Sequence, residues 1–121
     1  YIAYVLPVPR RVWDTGPIDL GYEPLYWLRE VKFKGKIATT ITITPYFDGV
    51  SQGGVSVSPL KTGISMHSAK MGRGIKGKQI SNIRIDSGSS SGCNVYWVEL
   101  FYRPSGGEMQ RKVVKMGVIT Q

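Results

Sequence analysis

Sulfur and imidazole are nearly missing from this sequence. With one cysteine, Cys93, and one histidine, His67, the chain forms no internal disulfide and has too few ligands for a cysteine- or histidine-clustered zinc site. Long apolar runs are missing too. No stretch approaches the roughly 20 residues that cross a bilayer as a helix, and no charged start and apolar centre mark a secretory signal peptide, so the chain reads as soluble, with no membrane span. Carboxylates are scarce: 8 Asp and Glu stand against 16 Lys and Arg, a formal net charge of +8. None lies between Asp48 and Asp86. A hydrolytic triad around His67 therefore lacks an acidic partner nearby in sequence, and the residue reads as structural. Strands could gather a carboxylate pair from Asp14, Asp19, Glu30, Asp48, Asp86 or Glu99, but most of these are explained as turn residues or solvent-facing charges. The expectation is a protein without catalytic residues, metal or cofactor.

What is present points to β-structure. A chain of 121 residues suits one domain, 1–121, and its 41% hydrophobic and 11% aromatic content exceeds that of disordered segments. Fifteen glycines and seven prolines favour many short strands joined by turns. Residues 2–9 are apolar but broken by Pro7 and Pro9, which makes 1–12 an extended arm or an edge strand. Opening on Tyr1, the sequence reads either as a processed chain or as a segment of a longer one.

Alternation then marks the strands. In residues 26–34, Leu28, Val31 and Phe33 are apolar, while Glu30, Lys32 and Lys34 share a wet face. Gly35 and Lys36 suit a turn into a threonine- and isoleucine-rich strand, 37–44, whose β-branched side chains fit a pleated surface. Pro45 limits that strand, and Asp48 with Gly49 forms a hairpin turn. Earlier, Asp14 and Gly16 offer turn chemistry before a short strand carrying Ile18 and Leu20. Residues 50–77 break into short strands and long loops. In 78–86, Ile83 and Ile85 alternate with polar residues while Ile80 is out of phase, and a bulge near Ser81 reconciles them. The Ser- and Gly-rich run 87–92 reads as a hairpin tip. Its second arm, 93–103, sets Val95, Trp97, Glu99 and Phe101 on one face and Tyr96, Val98, Leu100 and Tyr102 on the other. Both faces are largely apolar, as in a central strand or an interface. A last strand covers 113–119. No 3.6-residue apolar stripe is evident, so the fold expected is an all-β antiparallel sandwich, jelly-roll-like or immunoglobulin-like, with little or no helix.

The basic residues concentrate where carboxylates are absent. Lys61, Lys70, Arg73, Lys76, Lys78 and Arg84 make that stretch locally positive, and Lys70, Arg73, Lys76 and Lys78, with Tyr96 and Tyr102 of the two-faced strand, form the candidate interaction surface. Residues 71–78 lack the spacing of a Walker loop or a dinucleotide fingerprint and precede a strand, not a helix. Basic loops beside aromatics could bind nucleic acid, but no ordered nucleic-acid motif is visible. A solvated face, or a patch meeting an acidic protein neighbour, is the commoner meaning of such charges. Stacking of sugars on Trp13, Tyr22, Tyr26, Trp27 or Tyr46 is a further alternative, set against their use in a core.

Two groups of residues carry a resemblance. The first is Thr15, Gly16, Ile18, Asp19, Leu20 and Gly21, followed by Leu28, Arg29, Val31 and Phe33. The second is Arg73, Lys76, Gly77 and Ile80, with Val98, Leu100, Tyr102 and Arg103 later in the chain. Together they resemble β-sandwich modules of tailed-bacteriophage virion proteins of the neck, tail-hub, nozzle and adaptor type. The resemblance implies a non-enzymatic structural subunit located in the virion, whose partners are its own copies or other virion proteins. It also implies that the 73–80 strand pairs with the 98–103 strand. A glycan- or nucleic-acid-binding module is the alternative. If Trp97 lies in the core, its replacement by alanine costs about 3–5 kcal/mol.

Overall fold

A computed structural model describes residues 2–4, 12–37, 39–59, 63–72, 74–87, 94–115 and 118–120. These form strands β1 (Ile2–Tyr4), β2 (Val12–Asp14), β3 (Tyr26–Lys36), β4 (Ile41–Phe47), β5 (Val50–Ser51) and β6 (Val55–Val57). The second half adds β7 (Ser65–Lys70), β8 (Lys76–Gly77), β9 (Ile80–Asp86), β10 (Asn94–Pro104), β11 (Gln110–Lys115) and β12 (Val118–Thr120). No helix occurs among the described residues.

Two five-stranded antiparallel sheets pack together as a sandwich. The first runs β11-β10-β3-β7, with β8 also on β3; the second runs β2-β9-β4-β5, with β6 also on β4. In each sheet the two short strands lie end to end beside one long strand: β7 faces residues 30–35 of β3 and β8 faces 26–27. β1 and β12 form a separate antiparallel pair. The chain crosses between sheets repeatedly, from β2 to β3, β3 to β4, β6 to β7, β8 to β9 and β9 to β10.

Alternation explains the core of the second sheet. Ile41, Ile43, Pro45 and Phe47 of β4 point inward, as do Ile83 and Ile85 of β9. The expected bulge is present: Tyr46 pairs with Asn82 but Phe47 with Ile80, so Ser81 is the extra residue and Ile80 returns to the core. The Asp48–Gly49 turn closes β4 onto β5, with φ of 52° and 82°. Positive φ at both positions matches the twist of a hairpin.

In the first sheet two further bulges set the phase. Phe101 pairs with Glu30 and Tyr102 with Leu28, leaving Arg29 as the extra residue of β3. Val95 pairs with Gly35 and Trp97 with Lys34, leaving Tyr96 as the extra residue of β10. Each bulge turns the following side chain over. Leu28, Val31 and Phe33 therefore all face inward, against Val95, Val98, Leu100 and Tyr102.

Several expectations change on this framework. Val95 sits with Val98 in the core and Trp97 points outward, because the Tyr96 bulge breaks the simple alternation. Gly35 and Lys36 lie inside β3; a Cβ on Gly35 would approach the Asn94 carbonyl oxygen to 2.1 Å, so the glycine admits the bulged backbone of β10. β4 starts at Ile41 and continues through Pro45 to Phe47. Ile18 forms an isolated bridge to Ile80, although Ile18 and Leu20 are both buried. β9 and β10 belong to different sheets, so they do not form the hairpin expected around 87–92; of that run only Ser87 is among the described residues. The strand at Lys76 and Gly77 pairs with β3, and β10 pairs with β3 and β11, so the pairing implied by the resemblance is not made.

Leu100 is fully buried, and Leu100→Ala is expected to lower stability by about 2–5 kcal/mol. Trp97→Ala is expected to cost less, about 1–2 kcal/mol, for a half-buried ring and one hydrogen bond. Urea denaturation of the two variants checks the order, and a larger loss for Trp97→Ala would place its ring in the core. Gly35→Ala is expected to cost about 1–3 kcal/mol by the same measurement, because backbone must move to admit the methyl group.

Candidate interaction surface

The outer face of the first sheet follows from the inner one. Once Leu28, Val31 and Phe33 point into the core, Trp27, Glu30, Lys32 and Lys34 of β3 must point out, and the register matches them to outward residues of β10, β11, β7 and β8. Four rows result. Lys115, Trp97, Lys34 and Met66 lie side by side, as do Val113, Glu99, Lys32 and Ser68. Arg111, Phe101, Glu30 and Lys70 form the third row, and Arg103, Trp27 and Lys76 the fourth.

Cations outnumber carboxylates on this face, and its side chains are tied together. The Arg111 Nε donates to Glu99 Oε1 at 2.7 Å, and the Trp97 indole Nε1 donates to Glu99 Oε2 at 2.9 Å. Glu99 is only 9% exposed, although it points away from the core. The Trp97 hydrogen bond, followed by the Arg111 hydrogen bond and charge and the Lys32 charge, lowers its pKa against the opposing effect of burial. Ser68 donates to Glu30. The Lys32 Nζ stands 5.2 Å from the Phe101 ring centre and the Arg103 guanidinium 5.5 Å from that of Trp27, both within cation–π range.

The residues singled out by sequence are divided by the fold. Lys70 and Lys76 belong to this face, opposite Glu30 and Trp27. Lys78 does not: it is exposed in the β8–β9 connection, where its backbone N–H donates to Asp48 Oδ2 at 3.1 Å. Arg73 lies outside the described residues. Tyr96 occupies the β10 bulge, partly buried. Tyr102 cannot contribute, because it is 6% exposed in the core, edge-on to Tyr26 with ring centres 5.8 Å apart. Burial pushes its phenol pKa up, and its hydroxyl donates to Gln110 Oε1 at 3.3 Å. His67 is buried on the inner side of β7, stacked on Phe33 at 5.0 Å.

Sequence alone does not unite Trp27, Trp97, Lys32, Lys34, Arg103 and Arg111 into one surface. The wet-face alternation of β3 is visible there, but the β3–β10 pairing that completes the face links residues about 70 positions apart in the chain. Among the described residues, no cluster of three or more His, Cys, Asp or Glu side chains could hold a metal ion, and no helix is long and apolar enough to cross a membrane. Compared with known proteins, the chain matches no family model, no curated protein and no solved structure.

A lowered pKa in the folded state means that Glu99 contributes stability in full above its unfolded-chain value, about 4.3, and loses it as pH falls through the lower folded value. Glu99→Gln removes that contribution. The difference in melting temperature between wild type and variant is expected to hold from neutral pH to about pH 5 and to narrow progressively as pH falls below about 4. A difference that persists unchanged to about pH 2 would contradict the ionic role.

Proposed function

We propose that the chain is a non-enzymatic assembly module, of the type found in bacteriophage neck and tail components, that docks onto an acidic neighbouring subunit through the outer face of the first sheet. The observation that carries this reading is the cross-strand array of Trp27, Trp97 and Phe101 among Lys32, Lys34, Lys70, Lys76, Arg103, Arg111 and Lys115. Aromatic side chains and arginine are enriched at protein interfaces, and a face with excess positive charge selects a partner of opposite sign. A net charge of +8 repels further copies of the chain, so the complementary subunit is an acidic protein. The resemblance of segments 15–21, 27–33, 73–80 and 98–103 to virion β-sandwich modules supplies the setting, although the 73–80 to 98–103 pairing it implies is not made.

A single-stranded nucleic acid fits this face less well. Base stacking needs open ring faces, but Lys32 stands over Phe101 and Arg103 over Trp27. Glu30 and Glu99, held within the array, also repel phosphates.

Titration with poly-L-glutamate and with a DNA oligonucleotide of matched charge separates the two partners. Poly-L-glutamate is expected to bind in low salt, to be released in high salt, and to lose about tenfold or more in affinity to the double variant Lys32→Glu, Lys34→Glu. DNA binding that exceeds poly-L-glutamate binding and falls on replacement of Trp27 or Trp97 would overturn the reading in favour of nucleic acid. Failure of both probes to bind would remove this face as a docking surface.

A further inference from the structure

The opposite side of the sandwich has a different chemistry. Because Ile41, Ile43, Pro45 and Phe47 of β4 fill the core, Thr42, Thr44 and Tyr46 must face outward, and β9 places Asn82, Arg84 and Asp86 beside them. The register sets Thr42 opposite Asp86, Thr44 opposite Arg84 and Tyr46 opposite Asn82. Thr40, Thr42, Thr44, Tyr46, Arg84 and Asp86 line an open depression of about 400 Å³, a volume within the range of small-molecule sites. At its side, a Cβ on Gly54 would come within 2.5 Å of Thr42 Cγ2 and 3.3 Å of Thr44 Oγ1, so the bare glycine leaves the threonine pair uncovered. Arg84 is held from the neighbouring strand β2: its Nε donates to Asp14 Oδ1 at 3.0 Å, and that oxygen also accepts the Asn82 amide at 2.7 Å.

The composition of this lining selects a ligand class. An anion would meet Asp86 and Asp14 around a single guanidinium, so phosphates and carboxylates are disfavoured. An apolar ligand would desolvate a floor of hydroxyls and charges without replacing their hydrogen bonds. A neutral polyol matches it. Threonine and tyrosine hydroxyls both donate and accept, the guanidinium donates and the carboxylate accepts, which suits a row of sugar hydroxyls, while the Tyr46 ring offers an apolar surface to a pyranose C–H face.

We propose that this depression is a binding site for a neutral sugar of one or two pyranose rings. The site is separate from the basic face and independent of it. An open, shallow site pays much of its interaction energy back in ligand ordering and desolvation, so affinity on the order of millimolar is expected.

The test is an amide chemical-shift titration with three neutral trisaccharides, built from glucose, galactose and N-acetylglucosamine, and with trigalacturonate as the anionic control. At least one neutral sugar is expected to give saturable shifts centred on Thr42, Thr44, Arg84 and Asp86, which trigalacturonate does not reproduce. Thr44→Val and Asp86→Asn, each checked for an unchanged melting temperature, are expected to weaken binding about tenfold. The double variant Lys32→Glu, Lys34→Glu should bind the sugar as the wild type does, which keeps this result separate from the docking test. The proposal is overturned if none of the three neutral sugars moves these amides, if the shifts map to the first sheet, or if both depression variants bind like the wild type.

Discussion

The register between β3 and β10 decides which side chains of the first sheet enter the core and which face out. The pairing runs antiparallel from Lys36 opposite Asn94 to Tyr26 opposite Pro104, and it carries one extra residue in each strand. Arg29 interrupts β3 and Tyr96 interrupts β10, so each strand changes phase once along its length. Those two changes send Val95, Val98, Leu100 and Tyr102 to the core with Leu28, Val31 and Phe33. They also send Trp97, Glu99 and Phe101 to the outer face with Trp27, Lys32 and Lys34. Without the Tyr96 bulge, the aromatic Trp97 and the valine Val95 would share one side of the sheet, as the sequence pattern suggests. Gly35 is the local condition for it, since a side chain there would collide with the Asn94 carbonyl.

Much of the second sheet was legible from sequence because its signals are local. The threonine- and isoleucine-rich strand, the Asp48–Gly49 turn and the phase break at Ser81 all concern residues close in the chain. Where the reading failed, the missing information was non-local. A serine- and glycine-rich run between two strand candidates looks like a hairpin tip whether the strands pair or separate into different sheets, and here β9 and β10 separate. Tyr102 looked available because β10 has apolar residues on both faces, yet the ring is buried against Tyr26. The same ambiguity hid Trp97. A strand whose outer face carries aromatics cannot be phased by hydrophobicity alone.

The positive charge of the chain is therefore organised more by the sheet than by the carboxylate-free stretch of sequence. Lys70 and Lys76 come from that stretch, but Lys32, Lys34, Arg103, Arg111 and Lys115 come from the strands flanking them in space. Glu99 gives the array a fixed centre by accepting from both Trp97 and Arg111. On the far side, threonines, Arg84 and Asp86 present hydroxyls and balanced charge. One sandwich thus presents a cationic aromatic face and a hydroxyl-lined face of different chemistry.

Tryptophan fluorescence tests the separation of core from cationic face most directly, because the three indoles divide between the two. Trp13 is buried at 4% exposure, whereas Trp27 and Trp97 lie partly open within the cationic face. Iodide, drawn to positive potential, is expected to quench a large share of the emission, caesium is expected to quench little, and the iodide effect should weaken as salt screens the face. Equal quenching by the two ions, or protection of all three indoles from both, would contradict the account.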